Sequence, residues 1–268
     1  GMLVKVFPGV VAASTVAAEV AHSRRQRGRG LAALGLSLAV GLMLWAALGG
    51  RQAVQSLRYH TERGIEIGSL YSGLLLAVGK GTGAAVGHHY NHASEHIQAP
   101  GAITAAALAF PLQAAALLLV LWRSRCSRGA DGVRYAGAAV LALLVAGKVL
   151  SPQYLIWILP FVTVQGGSTG ARARWLLLTC CLATALLYPW AFDKLVALRW
   201  SGIILLNLRN ALLLGLWGLL LFGREAPGIA RTAAGGIVRG SHLRYNGQGN
   251  CANDPSPEPA GGPSLAAP

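Results

Sequence analysis

A lysine, a serine, a glutamine and a tyrosine lie between two apolar runs in the stretch Gly147-Lys148-Val149-Leu150-Ser151-Pro152-Gln153-Tyr154-Leu155-Ile156-Trp157-Ile158-Leu159-Pro160. Pro152 has no backbone N–H to give a continuous helix, and its ring disfavours helical geometry at Ser151. The spacing therefore predicts one apolar helix ending near Leu150 and another starting at about Pro152, where a first-turn proline is well tolerated. Two helix ends meeting at one membrane face leave unpaired backbone groups beside the Lys148 cation. That combination can hold an anion such as a lipid-linked phosphate. The plainer alternative is a proline-punctuated hairpin whose Lys148 extends to the headgroups.

Other chemistry-bearing residues fall in two places. Tyr59, His60, Glu62, Arg63 and Glu66 lie within eight residues. At helical spacing Glu62 and Glu66 share a face, as do Tyr59 and Arg63. Carboxylates beside a His and an Arg suit sugar hydroxyls, or proton transfer together with phosphate binding; a solvated interfacial helix with local ion pairs is the alternative. His88, His92 and His96 recur every four residues, the spacing at which neighbouring members on a helix could share a metal. The segment is polar, flanked by Gly87 and Pro100 and short of a carboxylate at matching spacing, so a flexible external loop without metal is expected. Arg209-Asn210 interrupts the last apolar run, and an intramembrane arginine is a candidate because it is costly there. It could reach a phosphate, pair with Asp193 or extend to the interface. The four cysteines form no CxxC pair and indicate neither a zinc ribbon nor a disulfide framework.

These residues need elements to carry them, and the composition says which. Of 268 residues 54% are hydrophobic and 12% charged, with mean hydropathy +0.50. A soluble domain carries about twice that charge. Apolar runs at 2–21, 30–49, 101–122, 135–150, 152–165, 175–190 and 202–222 predict an all-α, polytopic transmembrane bundle of about seven spans. The piece at 70–79 is too short to cross and is expected to be re-entrant or interfacial. Residues 226–268, rich in Gly, Pro, Ser and Asn, read as a disordered cytoplasmic tail after a membrane domain at 1–225. The net charge of +14 does not point to nucleic acid, because the cations cluster between apolar runs. If each run crosses once, 14 of the 23 Lys and Arg fall on the side shared by 22–30, 123–134, 171–174 and 223 onward, and 6 on the other. Positive residues favour the cytoplasm. That map puts the 50–99 connection, the Ser151-Pro152-Gln153 turn and the Asp193 link together on the external, periplasmic face of the cell membrane. No signal peptide is expected at the start, which already reads as a span.

Together, Tyr59-His60-x-x-Arg63-Gly64-Ile65-Glu66-Ile67-x-Ser69, then Lys148-Val149-Leu150-Ser151-Pro152-Gln153-Tyr154-Leu155-Ile156-Trp157-Ile158-Leu159-Pro160, and Arg209-Asn210 in the final span resemble bacterial glycosyltransferase family 87. These are membrane mannosyltransferase-like proteins of the GT-C superfamily. The opening Lys5-Val6-Phe7-Pro8 resembles a span in the middle of such proteins, so the resemblance covers about residues 1–222 and corresponds to the family's C-terminal part. It implies an enzyme that moves a sugar, with mannose expected, from a polyprenyl-phosphate donor to a lipid or glycan acceptor outside the membrane, without a cofactor. It implies donor-phosphate contacts from Lys148, Arg63 and Arg209, and sugar or acceptor contacts from Tyr59, His60, Glu66, Ser151, Gln153 and Tyr154. GT-C enzymes usually take their catalytic carboxylate from the first external loop, which no stretch here matches, so the base is expected to be missing from this chain. The His88–His96 stretch departs from the family pattern. Two other classes stay open: a polyprenyl-lipid transporter or flippase, which should show an internal repeat and deep charges in several spans, and a non-catalytic membrane scaffold.

Overall fold

The computed structural model describes residues 36, 39–41, 43–52, 55, 58, 62–126 and 132–223. The expected span at 2–21, the basic stretch 22–30, Tyr59, His60 and the tail at 226–268 lie outside the described residues. In chain order the labelled elements are α1 (Leu70–Thr82), β1 (Gly87–Asn91), β2 (Ser94–Gln98), α2 (Ala102–Cys126) and α3 (Gly132–Val145). A 3-10 turn (Pro152–Trp157) leads to α4 (Leu159–Thr163), followed by α5 (Gly167–Ala185), a π turn (Leu186–Trp190), α6 (Phe192–Val196) and α7 (Trp200–Phe222).

Among the described residues three helices are long and apolar enough to cross a membrane: Ala102–Arg125, Gly167–Trp190 and Trp200–Phe222. They match the runs expected at 101–122, 175–190 and 202–222. The arms expected at 135–150 and 152–165 are not among them. With 14 residues, α3 is about 21 Å long at 1.5 Å per residue, short of the roughly 30 Å hydrocarbon core. Its partner arm is a six-residue 3-10 turn followed by a five-residue helix. Pro152 and Pro160, each in the first turn of its element, start these pieces afresh and prevent one continuous helix. The reversal itself is present. Lys148 and Leu150 bond to the 63–66 segment, while a Cβ built on Gly137 would lie 2.8 Å from Phe161 Cβ. The 3-10 turn and α4 thus run back alongside α3.

The core is organised on α7. One apolar cluster joins Tyr135, Leu141 and Leu144 of α3 to Leu177 of α5 and Leu213, Leu216 and Leu220 of α7, closed by Leu155, Ile158 and Val162 of the returning arm. A second joins Ile65, Ile67, Leu76 and Ile97 to Leu187, Leu195, Ile203 and Leu206. Of the basic stretches expected to share a side, the described parts of 123–134 lie at the end of α7 beside Gly223, with the start of α5 next to them. Arg123 sits over the Phe222 ring at 5.3 Å, Arg134 donates to Gly223 O, and Thr169 lies against Gly223.

At the other end, α1 is half a span. Ser69 caps it by accepting from Ser72 N–H at 3.1 Å. Asn207 and Asn210 of α7 face its first turns, and Lys80 in its last turn donates to Leu198 O. Helix α1 therefore starts beside Asn210 and climbs antiparallel to α7 as far as Trp200, which lies 4.0 Å from the Cβ position of Gly81. Arg209 stands nine positions after Trp200, about 14 Å along the axis. The start of α1 is buried at that depth.

Candidate functional site

Residues 63–69 form a strap, extended over 63–66 and closing in a turn in which Ser69 N–H donates to Glu66 O at 3.0 Å, not the helix that would put Glu62 and Glu66 on one face. Ile65 and Ile67 are β-branched and separated by one residue, and Gly64 and Gly68 flank them; all of these disfavour helix. Alternation then buries Ile65 and Ile67 at 1% and 2% exposure and turns Glu66 to the opposite face. The strap adds to the edge of β2: Ile97 N–H donates to Ile65 O at 3.0 Å, and Ile67 N–H to Glu95 O at 2.9 Å.

Its other edge is held by the stretch between α3 and the 3-10 turn. Glu66 N–H donates to Lys148 O at 3.0 Å, Leu150 N–H donates to Glu66 Oε2 at 2.7 Å, and Lys148 Nζ donates to Arg63 O at 2.5 Å. From α7, Arg209 Nη2 donates to Gly68 O at 2.5 Å and Asn210 Nδ2 to Ser69 O at 3.1 Å. Arg63 Nη2 reaches Ser94 Oγ at 2.7 Å. Three stretches far apart in sequence, 63–69, 148–150 and 209–210, thus meet in one place. In an apolar setting strap carbonyls need partners, and side chains from the other two stretches provide them at Arg63, Gly68 and Ser69. Lys148 is bound to the strap and does not extend to the headgroups.

The clasp is charged and partly desolvated. Arg63 and Arg209 act on one carboxylate, Glu66, and a third cation, Lys148, adjoins through Arg63 O. Burial pushes the Glu66 carboxyl above its ordinary range, opposed by the Leu150 N–H and by the charges of Arg63 and Arg209. Burial, and then the charge of Arg63, hold the Lys148 ammonium below its ordinary value.

The other candidate residues are placed as follows. Ser151 Oγ donates to Gln153 Oε1 at 2.7 Å in the turn beside the clasp. Tyr154 stacks on Trp157 at 4.4 Å between ring centroids. Asp193 is exposed on α6 whereas Arg209 is fully buried, and no ion pair joins them. Glu95 is not in an unfixed loop: it belongs to β2 and pairs with His88 Nδ1 at 2.8 Å. The segment containing His88, His92 and His96 is a β-hairpin, not a loop or helix. With His88 opposite Ile97 and His89 opposite His96, His88 and His96 point to opposite faces. Among the described residues no group of three or more His, Cys, Asp or Glu side chains could hold a metal ion.

Sequence reasoning overlooked Tyr188, whose hydroxyl lies 2.8 Å from the Cβ position of Gly68, and Tyr71, which donates to Ala146 O at 2.8 Å. The Tyr188-Pro189 break at the end of an apolar run was the available signal for the first. It also overlooked the pairing of the strap with β2, which no local pattern announces.

His96 links the hairpin to this site. It is fully buried, with Nε2 2.9 Å from Asn91 O and 3.1 Å from Ser94 Oγ. Burial is the main cause holding its imidazole below the ordinary 6.5, with the charge of Arg63 acting in the same direction. A depressed basic group binds fewer protons folded than unfolded, so stability is lost as pH falls below about 6.5. Glu66, raised above its ordinary 4.5, has the opposite sign: its contribution falls as pH rises through that window. Thermal unfolding of wild type and His96→Gln across pH 4–8 separates the two. The variant is expected to lose the acid-side destabilisation and keep the Glu66 slope.

No protein-family model, curated protein or solved structure matches the chain.

Proposed function

We propose that the chain is a membrane glycosyltransferase, or part of one, that binds a polyprenyl-phosphate-linked sugar at the clasp. The observation that carries this reading is the convergence of the 63–69 and 148–150 stretches on a partly desolvated cluster whose cations outnumber its carboxylate. A phosphate brought there by a lipid meets a point charge at Lys148 and a forked donor at Arg63, with the Arg209 charge beneath the strap adding to the field. Ser151, Gln153 and Tyr154 follow directly in the chain and are proposed to contact the sugar or acceptor. Tyr59 and His60 precede the strap and are proposed for the same role. The reaction takes place on the external face of the cell membrane, with mannose the sugar first to be tried and a lipid or glycan as acceptor.

The test is donor binding to the purified chain in nanodiscs, using polyprenyl-phosphate-mannose. Loss of a charge-assisted contact to a desolvated phosphate costs about 1.5–3 kcal/mol, so Lys148→Ala is expected to weaken binding roughly tenfold or more. Glu66→Gln keeps an acceptor for Leu150 N–H, removes the negative charge and should strengthen phosphate binding. Unchanged affinity in both variants overturns the reading. A membrane scaffold is the competing reading, favoured by the bonds that Lys148 and Arg209 make to the strap carbonyls. In that case both substitutions alter stability while the donor does not bind at all.

A further inference from the structure

The end of the bundle away from the clasp carries arginines and, among the described residues, no carboxylate. Glu66 and Glu95 are held at the strap and β2, Glu62 precedes the strap in the chain, and Asp193 lies on α6 beside the start of α7. Three arginines from three helices meet around the last residues of α7. Arg123 of α2 lies over the Phe222 ring at 5.3 Å, and Arg134 of α3 donates to Gly223 O. Thr169 of α5 lies 2.9 Å from the Cβ position of Gly223. Arg172 folds back beside it, with Nε donating to Ser168 O at 3.3 Å and Nη2 3.5 Å from Thr169 Oγ1. Arg174, two positions on, takes the other side of α5 and donates to Gln165 O at 2.6 Å. Sequence neighbours do not cancel the charge. The stretches 123–134, 172–174 and 223–225 hold seven arginines against two acids, Asp131 and Glu225.

An exposed apolar face starts at the same place. Trp175 shares a side of α5 with Arg172 at helical spacing, followed by Thr179 and Leu182. Trp175 is 69% exposed, and Leu182 is exposed as well. Thr179 returns its hydroxyl to Trp175 O at 2.9 Å, so that side of the helix shows lipid no unpaired polar group there. The order along it is cation, aromatic, aliphatic, which matches the phosphate, glycerol ester and acyl chain of a membrane lipid.

We infer that the end of α7 seats one anionic glycerophospholipid, its phosphate among Arg123, Arg134 and Arg172 and its chain along the α5 face that starts at Arg172. Arg172 is exposed and makes the direct contact with its planar fork. Arg123 and Arg134 are half-buried and supply field. A zwitterionic headgroup would bring a further cation into this cluster, which selects an anionic one. The lipid ties the ends of α2, α3, α5 and α7 together. Arg209 precedes Phe222 by 13 positions, about 20 Å along the axis. The seat is thus remote from the clasp and does not depend on the glycosyltransferase reading.

The experiment uses the full chain in nanodiscs in which phosphatidylglycerol progressively replaces phosphatidylcholine, with thermal unfolding followed by tryptophan fluorescence. Saturable stabilisation is expected, with its half-point raised about fivefold in Arg172→Gln. Arg172 bonds only within its own helix, so this variant should fold; Arg123→Gln is a second one, with a shift in the same direction. Arg174→Gln removes the same charge from the other side of α5 and should leave the half-point within about twofold. Equal shifts in Arg172→Gln and Arg174→Gln overturn the seat in favour of a diffuse field. Equal stabilisation by inorganic phosphate in pure phosphatidylcholine discs overturns the lipid as occupant. Stability independent of phosphatidylglycerol overturns the proposal outright.

Discussion

Gly202→Ala is expected to detach α6 from the start of α7. The Cβ it adds would lie 2.5 Å from Leu195 N, 2.6 Å from Leu195 Cα and 2.8 Å from Lys194 C. All three are backbone atoms, so no rotamer change relieves the contact. Replacing glycine by alanine inside a helix contributes up to about 1 kcal/mol of stability. Overpacking costs about 1–3 kcal/mol, and more where backbone must move, so the clash wins. The measured result should be a loss of about 2 kcal/mol or more in reversible denaturation, together with faster labelling of a cysteine placed at Leu195. Gly215→Ala is the control, because its Cβ meets no described atom within 4 Å. Equal stabilities in the two variants would show that the α6–α7 contact is looser than described.

The two glycines of the strap should behave in opposite ways. At Gly68 a Cβ would press on Tyr188 Oη at 2.8 Å and Leu150 O at 2.9 Å. The tyrosine can shift, but the carbonyl belongs to the residue whose N–H Glu66 holds. Relief therefore requires the strap to move away from the 148–150 stretch, stretching the Arg209 bond to Gly68 O. A cost of about 2–3 kcal/mol is expected, with donor binding lost as well. At Gly64 the nearest atoms are those of His96 at 3.5–3.7 Å, an ordinary contact, and Gly64→Ala should be nearly neutral. Unfolding curves of the two variants, run beside donor binding, check both statements. A tolerated Gly68→Ala would mean that the strap is not held from both edges.

Much of this was legible in the chain, for identifiable reasons. Pro152 and the apolar runs on either side announced the reversal, because the loss of an N–H acts locally. Arg209-Asn210 stood out because such residues are rare in apolar segments. The 63–69 strap was misread as helix because Glu62, Arg63 and Glu66 have helical spacing, whereas Ile65, Ile67 and two glycines favour extension, and β2 supplies an edge that no local window reveals. The His88–His96 stretch, expected as a flexible external loop, is a hairpin instead. The four-residue spacing of its histidines fits a helix face equally well, but His92 and Ala93 adopt positive φ at the tip of the hairpin. The lengths of the two arms were overestimated because apolar composition runs on through the 3-10 turn and α4, although prolines reset the backbone there.

The strap also sets an order of assembly. Its carbonyls at Gly68 and Ser69 are satisfied by residues 141 positions later in the chain. While the chain is being made, Arg209 and Asn210 are the last of these groups to emerge. Until α7 is inserted, Gly68 O lacks its Arg209 donor, whereas Ser69 O keeps the Gly73 N–H of α1 itself, and an unpaired carbonyl is a state the bilayer strongly disfavours. Helix α1 is therefore expected to settle into place only after α7 has arrived. Closing so distant a contact is slow by its topology. In a cell, the interval before α7 is complete is when this half-helix is most open to capture by insertion chaperones or membrane proteases.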